Sequence, residues 1–218
     1  MNLFTHSWAA LRAAVADLPI QAFAQPSGCA GWLVRDLVCH LIIDAQDVLI
    51  TLATPSDQAP THDAVTYWKL LDSPPTGRDP LDALIVRLAA AYRDPSLLSF
   101  HLDDVGAAAG RAAALADGKQ PIATKGQVLT TADYLDAYVL EWTLHHLDLI
   151  AHLPELTTPP TEGLGYARGL MERIGGFEFP AQIPDTDALL VGTGRRAASA
   201  YEAEALGPLH ERLPLLLA

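Results

Sequence analysis

Residues 140–153 read LEWTLHHLDLIAHL, with apolar residues recurring at spacings of three and four and Pro154 directly behind them. That spacing marks a helix with a face in a protein core, and the proline is a natural stop. Within the run, Glu141 and His145 are four apart, so their side chains converge one turn above each other. Asp148 and His152 continue the same stripe, flanked by Tyr138, Trp142 and Leu149, which are expected to be buried. Ionisable groups among buried neighbours are costly unless they are paired or hold a metal ion.

Working outward, Thr130 lies three residues before Asp133, a capping arrangement that starts this helix near Ala132 and carries it to about Leu153. Residues 118–130, with β-branched and turn residues, read as a loop or short hairpin, and the alanine-rich stretch Leu98–Ala116 as a helix that Gly106 and Gly110 weaken. Asp79 before Pro80 is an N-cap with proline at the first helical position. The helix it opens places Leu81, Leu84, Ile85, Leu88 and Tyr92 on one expected core face. Residues 54–80 are rich in Pro, Thr and Asp, with a short helix expected around Ala64–Leu71. A helix from about Leu33 to Ala53 carries a stripe of Val34, Leu37, Val38, Leu41, Ala45, Val48, Leu49 and Leu52. The first helix, with Leu3, Phe4, Trp8, Leu11, Val15 and Leu18 on one face, stops at Pro19. A last helix is expected over Thr161–Ile174, followed by a tail with at most short helices.

Four long amphipathic helices with long crossovers predict an all-α, four-helix-type bundle. Residues 1–160 are expected to form the bundle and 161–218 a helical and irregular C-terminal extension packed on it. Alanine and leucine, 36 and 35 of the 218 residues, agree with a helical chain.

Composition narrows the function. A net charge of −12, from 26 acidic against 14 basic residues, disfavours nucleic acid and anionic membrane surfaces as partners. Only two cysteines, Cys29 and Cys39, exclude a disulfide scaffold, and no apolar run is long enough to span a bilayer. The N-terminus lacks the pattern of a signal peptide, so a cytoplasmic location is expected.

The i, i+4 pair Glu141 and His145 suits a shared divalent ion, though such pairs also occur on solvated helix faces. An open tetrahedral site needs a third protein ligand, and His40, at the edge of the second helix's stripe, is the best candidate. A histidine in that position also fits a hydrogen-bonded boundary residue. Cys39, about 100° around the helix from His40, reads as a small core residue.

Two blocks carry a family resemblance. GWLVRDLVCHL, residues 31–41, resembles the signature around the first metal histidine of the mycothiol-dependent maleylpyruvate isomerase family, within the DinB-like metalloprotein superfamily. Glu141-x-x-x-His145-x-x-Asp148-Leu149 is similar to the segment on that family's last bundle helix, and ALLVGTGRR, residues 188–196, to its closing segment. The resemblance implies a DinB-like bundle whose metal ligands are His40, Glu141 and His145, the same three residues. It implies a divalent ion, Zn2+ above others, with mycothiol or a similar low-molecular-weight thiol as cosubstrate. Asp148, His146 and Asp44 become candidates to orient the ligands, with an arginine partner for Asp148 as the other reading. The implied chemistry is thiolate attack on an electrophilic small molecule, in transfer or isomerisation.

The isomerase's sizeable second domain is not expected, since about 65 residues follow the metal helix. That puts the maleylpyruvate reaction itself in doubt. Arg195 and Arg196 fit either an anion site or plain solvated surface. The competing expectation is a non-catalytic bundle with a structural or vestigial metal site, acting in ligand binding or stress. A di-iron carboxylate bundle is excluded, because the further inward Glu and Glu-x-x-His motifs it needs are missing.

Overall fold

The computed structural model describes residues 2–217. In chain order the main elements are α1 (Leu3–Ala16), α2 (Val34–Leu52), α3 (Pro80–Ala91), α4 (Ser96–Leu115), strands β1 (Pro121–Thr124) and β2 (Gln127–Thr130), α5 (Thr131–Ile150), α6 (Thr161–Gly175), α7 (Asp185–Gly192) and α8 (Ala200–Leu206). The protein is an all-α bundle with a C-terminal extension, and among the described residues the one small sheet is the antiparallel hairpin of β1 and β2.

Helices α1, α2, α4 and α5 form the bundle. Each of α1 and α2 packs against both α4 and α5, so the helices follow one another around the core as α1, α4, α2, α5. Their ends are written locally. The Asn2 side chain accepts a hydrogen bond from Thr5 N, and Thr130 caps α5 by accepting from Asp133 N at 3.0 Å. Asp36 accepts from Leu33 N at 2.9 Å at the start of α2. Gly106, which weakens α4 as an isolated helix, has a packing reason. A Cβ there would lie 2.7 Å from the Trp8 ring, and Trp8 Nε1 donates to the Gly106 carbonyl at 2.7 Å. The glycine lets α1 and α4 approach closely.

Helix α5 lies between two apolar clusters. Tyr134, Tyr138, Trp142 and Leu149 enter the bundle core, where Trp142 stacks on Trp8 with ring centroids 4.0 Å apart. Leu140, Leu144 and Leu147 pack on the other side against Leu164, Leu170 and Met171 of α6 and Leu189 of α7. Each fully buried leucine contributes about 2 kcal/mol, so α5 is anchored on both faces. Arg168 on α6 ties the extension together by donating to Asp185 at 3.0 Å and to the carbonyls of Ile183 and Phe179, both at 2.8 Å.

Two expectations fail. No helix spans Ala64–Leu71. Asp63 organises one turn by accepting from Val65 N and Thr66 N, after which Leu70 bridges Leu217 and Leu71 N donates to the Leu216 carbonyl. Pairing with the C-terminal strand-like segment replaces helix propagation. The face of α3 also differs: Ile85 and Ala89 are buried, but Leu81, Leu84 and Leu88 are exposed. The bundle core is closed by the four long helices, so α3 touches α2 along one line and leaves the rest of its apolar face in solvent.

Candidate metal centre

The site is built from two matching pairs on facing helices. On α2, His40 and Asp44 are four apart; on α5, so are Glu141 and His145. One donor atom from each of the four lies within 4.8 Å of every other. Nε2 of His40 is 3.1 Å from Nε2 of His145, 3.1 Å from Asp44 Oδ2 and 3.8 Å from Glu141 Oε1. Nε2 of His145 is 3.1 Å from Glu141 Oε1. A tetrahedral ion with bonds of about 2.0–2.2 Å sets its donors about 3.3–3.6 Å apart, so these separations bracket the edges of such a polyhedron. The oxygens and nitrogens fit a divalent cation in both size and type.

The far side of His145 is fixed by Asp148. Its Oδ2 lies 3.1 Å from His145 Nδ1, and a carboxylate can only accept, so Nδ1 carries the proton and Nε2 turns its lone pair toward the cluster. Asp148 is itself gripped by Arg195, whose Nε and Nη2 donate to the two carboxylate oxygens at 2.8 Å each. Cys29 Sγ sits 3.3 Å from Asp148 Oδ2. Gly28 N donates to the Asp148 carbonyl at 2.8 Å, binding the loop before α2 to α5.

Electrostatics follow from this geometry. Burial opposes ionisation of Asp148, but Arg195 and His145 hold its carboxyl far below the usual range. Burial likewise opposes the charge on Glu141, yet His145 and His40 hold it well below the ordinary glutamate value. For His40, burial works against protonation, but Asp44 and then Glu141 raise it to about 9. His145 moves in the same direction through Glu141 and Asp148 after the opposing effect of burial. Two imidazolium N–H groups cannot face each other at 3.1 Å, so at most one of the two Nε2 atoms aims a proton at the other. In the absence of an ion that proton supplies part of the positive charge the carboxylates require.

Two clefts meet at the cluster. One, about 340 Å³, is lined by His40, Asp44, Tyr67, Lys125, Tyr138 and Glu141. The other, about 470 Å³, is lined by Cys29, Trp32, Glu141, His145 and Arg195 among others. Glu141 and Trp68 belong to both walls.

The three residues singled out from sequence, His40, Glu141 and His145, are brought together. His152 is not: it lies beyond the end of α5 and is exposed. His146 points away, with Nε2 2.9 Å from the Thr157 carbonyl. Cys39 is a buried core residue. For Asp148, the two sequence readings are both realised, since it meets His145 and an arginine at once. Arg195 is therefore part of the centre's support, while Arg196 pairs with Asp187 and Glu202 away from it. Sequence reasoning missed how close Asp44 comes to the cluster and gave Cys29 no place. Asp44 had a signal: its spacing from His40 repeats that of Glu141 and His145. Cys29 had none, because only the tertiary fold carries its loop to α5.

Fold and cluster together define a helical-bundle protein with a group of buried and half-buried His, Asp and Glu donors that could hold a metal ion. Residues 4–150 match the family model described as mycothiol maleylpyruvate isomerase N-terminal domain, and the chain belongs to that family. No curated protein and no solved structure matches it. Among the described residues, no helix is long and apolar enough to cross a membrane.

Proposed function

We propose that the protein is a metal-dependent enzyme that uses a low-molecular-weight thiol, mycothiol or a close analogue, in transfer to or isomerisation of an electrophilic small molecule. His40, Glu141 and His145 hold the ion, Zn2+ by preference, and residues 1–160 form the metal-binding bundle on which residues 161–218 pack. The cytoplasm, where thiols stay reduced, suits a protein with two unpaired cysteines.

The observation that carries this reading is the position of the His40, Glu141 and His145 donors where two clefts meet. Two clefts meeting at one centre let two substrates reach it from different sides and be held against each other there. The ion would supply Lewis acidity that converts a thiol into a thiolate at neutral pH. Glu141 and the two imidazoles would hold the cation, the carboxylate offsetting one of its two charges. Asp148 and Arg195 lock the ring of His145, and Trp32, its ring centroid 5.2 Å from that of His40, helps to wall off water. Cys29 is not the reactive sulfur: burial and the Asp148 carboxylate both push its thiol up, away from the thiolate form.

Elemental analysis of untagged protein beside its His40→Ala variant tests the centre. About one divalent ion per chain is expected in the first and a large loss in the second. Equal content in both would remove the assignment. Consumption of mycothiol in the presence of an electrophile, abolished by a chelator and restored by metal, tests the chemistry. Metal content without turnover for any thiol would leave a structural metal bundle.

A further inference from the structure

We infer that Asp44 is a fourth protein donor to the ion, holding the corner that a cosubstrate's sulfur must take. The inference rests on the metal reading above and extends it to a residue that neither the sequence motif nor the family match assigns.

Asp44 is 8% exposed, and its Oδ2 is a buried oxygen with no hydrogen-bond donor aligned on it. That oxygen lies 3.1 Å from His40 Nε2, within ion-pair reach but off the hydrogen-bonding direction. A buried carboxylate oxygen without a hydrogen bond is costly, and one aimed at a cluster of donors has an evident use. A carboxylate oxygen of Asp44 falls in the same 4.8 Å group as a nitrogen of each of His40 and His145 and a Glu141 oxygen. Asp44 is held there by α2, one turn from His40, as Glu141 is held by α5 one turn from His145. Both pairs place a carboxylate and an imidazole on one helical face, and the bundle turns those faces toward each other.

Charge bookkeeping shows what this does. Two neutral imidazoles, one carboxylate and a divalent ion carry one net positive charge, which a thiolate neutralises. With Asp44 added the set is already neutral and complete for four-coordination, so sulfur enters only by competing with the carboxylate. Asp44 lines the 340 Å³ cleft beside His40 and Tyr138, which makes that cleft the side on which the exchange occurs.

Cobalt(II) reads this directly, because its visible bands report coordination number and donor set. Wild type, Asp44→Ala and Asp44→Asn, each full-length and checked for folding by far-ultraviolet circular dichroism, are loaded with Co2+ and then titrated with 2-mercaptoethanol. The expected result is a changed visible spectrum and at least tenfold weaker Co2+ binding in both variants. The sulfur-to-cobalt charge-transfer band should then appear at a thiol concentration at least tenfold lower than in wild type. A role in orienting His40 alone would weaken binding without altering the donor spectrum. Unchanged spectra in the variants overturn the inference and leave the three-residue centre intact. Equal thiol dependence in wild type and variants removes Asp44 from the sulfur's path. Failure of wild type to take up Co2+ overturns the inference together with the metal reading on which it rests.

Discussion

Arg195 closes on both oxygens of Asp148 with two hydrogen bonds of 2.8 Å, so a residue after α7 supports a carboxylate on α5 that in turn fixes the ring of His145. The C-terminal extension is thereby part of the centre's scaffold. Substituting Asp148→Asn leaves Arg195 without its counter-charge and leaves a single acceptor oxygen where Arg195 and His145 Nδ1 now use two. Metal affinity should fall about 10–100-fold, measured by competition with a chromophoric chelator, and thermal stability should fall with it. Unchanged affinity would show that His145 needs no such orientation.

Gly28 offers a purely steric test of the same junction. A Cβ at this position would stand 2.6 Å from Asp148 Oδ1 and 2.8 Å from Asp148 Cα, and the latter is backbone that cannot swing aside. Gly28→Ala should destabilise the protein by about 1–3 kcal/mol, read from urea unfolding. It should also weaken metal binding by displacing Asp148.

Metal uptake should release protons. His40 is raised to about 9 by Asp44 and Glu141 against the opposing effect of burial, so at pH 7 the histidine pair retains a proton that a cation must displace. Affinity should therefore rise with pH through neutrality and level off above about 9. Calorimetry in buffers of different ionisation enthalpy should detect at least one proton released per ion at pH 7. A buffer-independent enthalpy would contradict this.

His146 contributes to acid sensitivity. Burial pushes it down to about 4, partly countered by its contact with the Thr157 carbonyl. The unfolded chain, with an ordinary histidine value near 6.5, binds this proton first. The contribution of His146 to stability is thus intact above about 6.5 and is lost progressively as pH falls toward 4, by on the order of 3 kcal/mol. In His146→Gln this component of the stability difference between pH 7 and pH 4 should vanish, as measured by chemical denaturation.

Cys29 should be dispensable for catalysis. Its thiol is pushed up by burial and by Asp148, with His145 and Arg195 opposing less strongly. Cys29→Ala should retain thiol-dependent turnover within a few-fold of wild type, and alkylation of Cys29 should be slow at pH 7. Loss of turnover in Cys29→Ala with normal metal content would place the reactive sulfur in the protein.

The helical class, the second and fifth helices to within a few residues and the family were legible in the chain, because periodicity, caps and two short motifs are local features. Asp79–Pro80 announces the start of α3 in the same way, and Thr130 that of α5. The exposed face of α3 was not legible. Leu81, Leu84 and Leu88 have core spacing, but whether a face is covered depends on neighbours brought from elsewhere in the chain. The single turn after Asp63 illustrates the same point, since its continuation was taken over by Leu216 and Leu217, far away in sequence.

In the centre, sequence alone determined the half on α5, because Glu141 and His145, four apart, converge on any helix, and it offered His40 as the third donor. Only the tertiary structure decided that the two halves face each other within 4.8 Å, that Asp44 joins them and that Arg195 supports them through Asp148. Helical spacing is a property of neighbouring residues, whereas the meeting of α2, α5 and the segment after α7 is set by how their apolar faces pack. The chain states what each helix can offer; packing determines which offers meet.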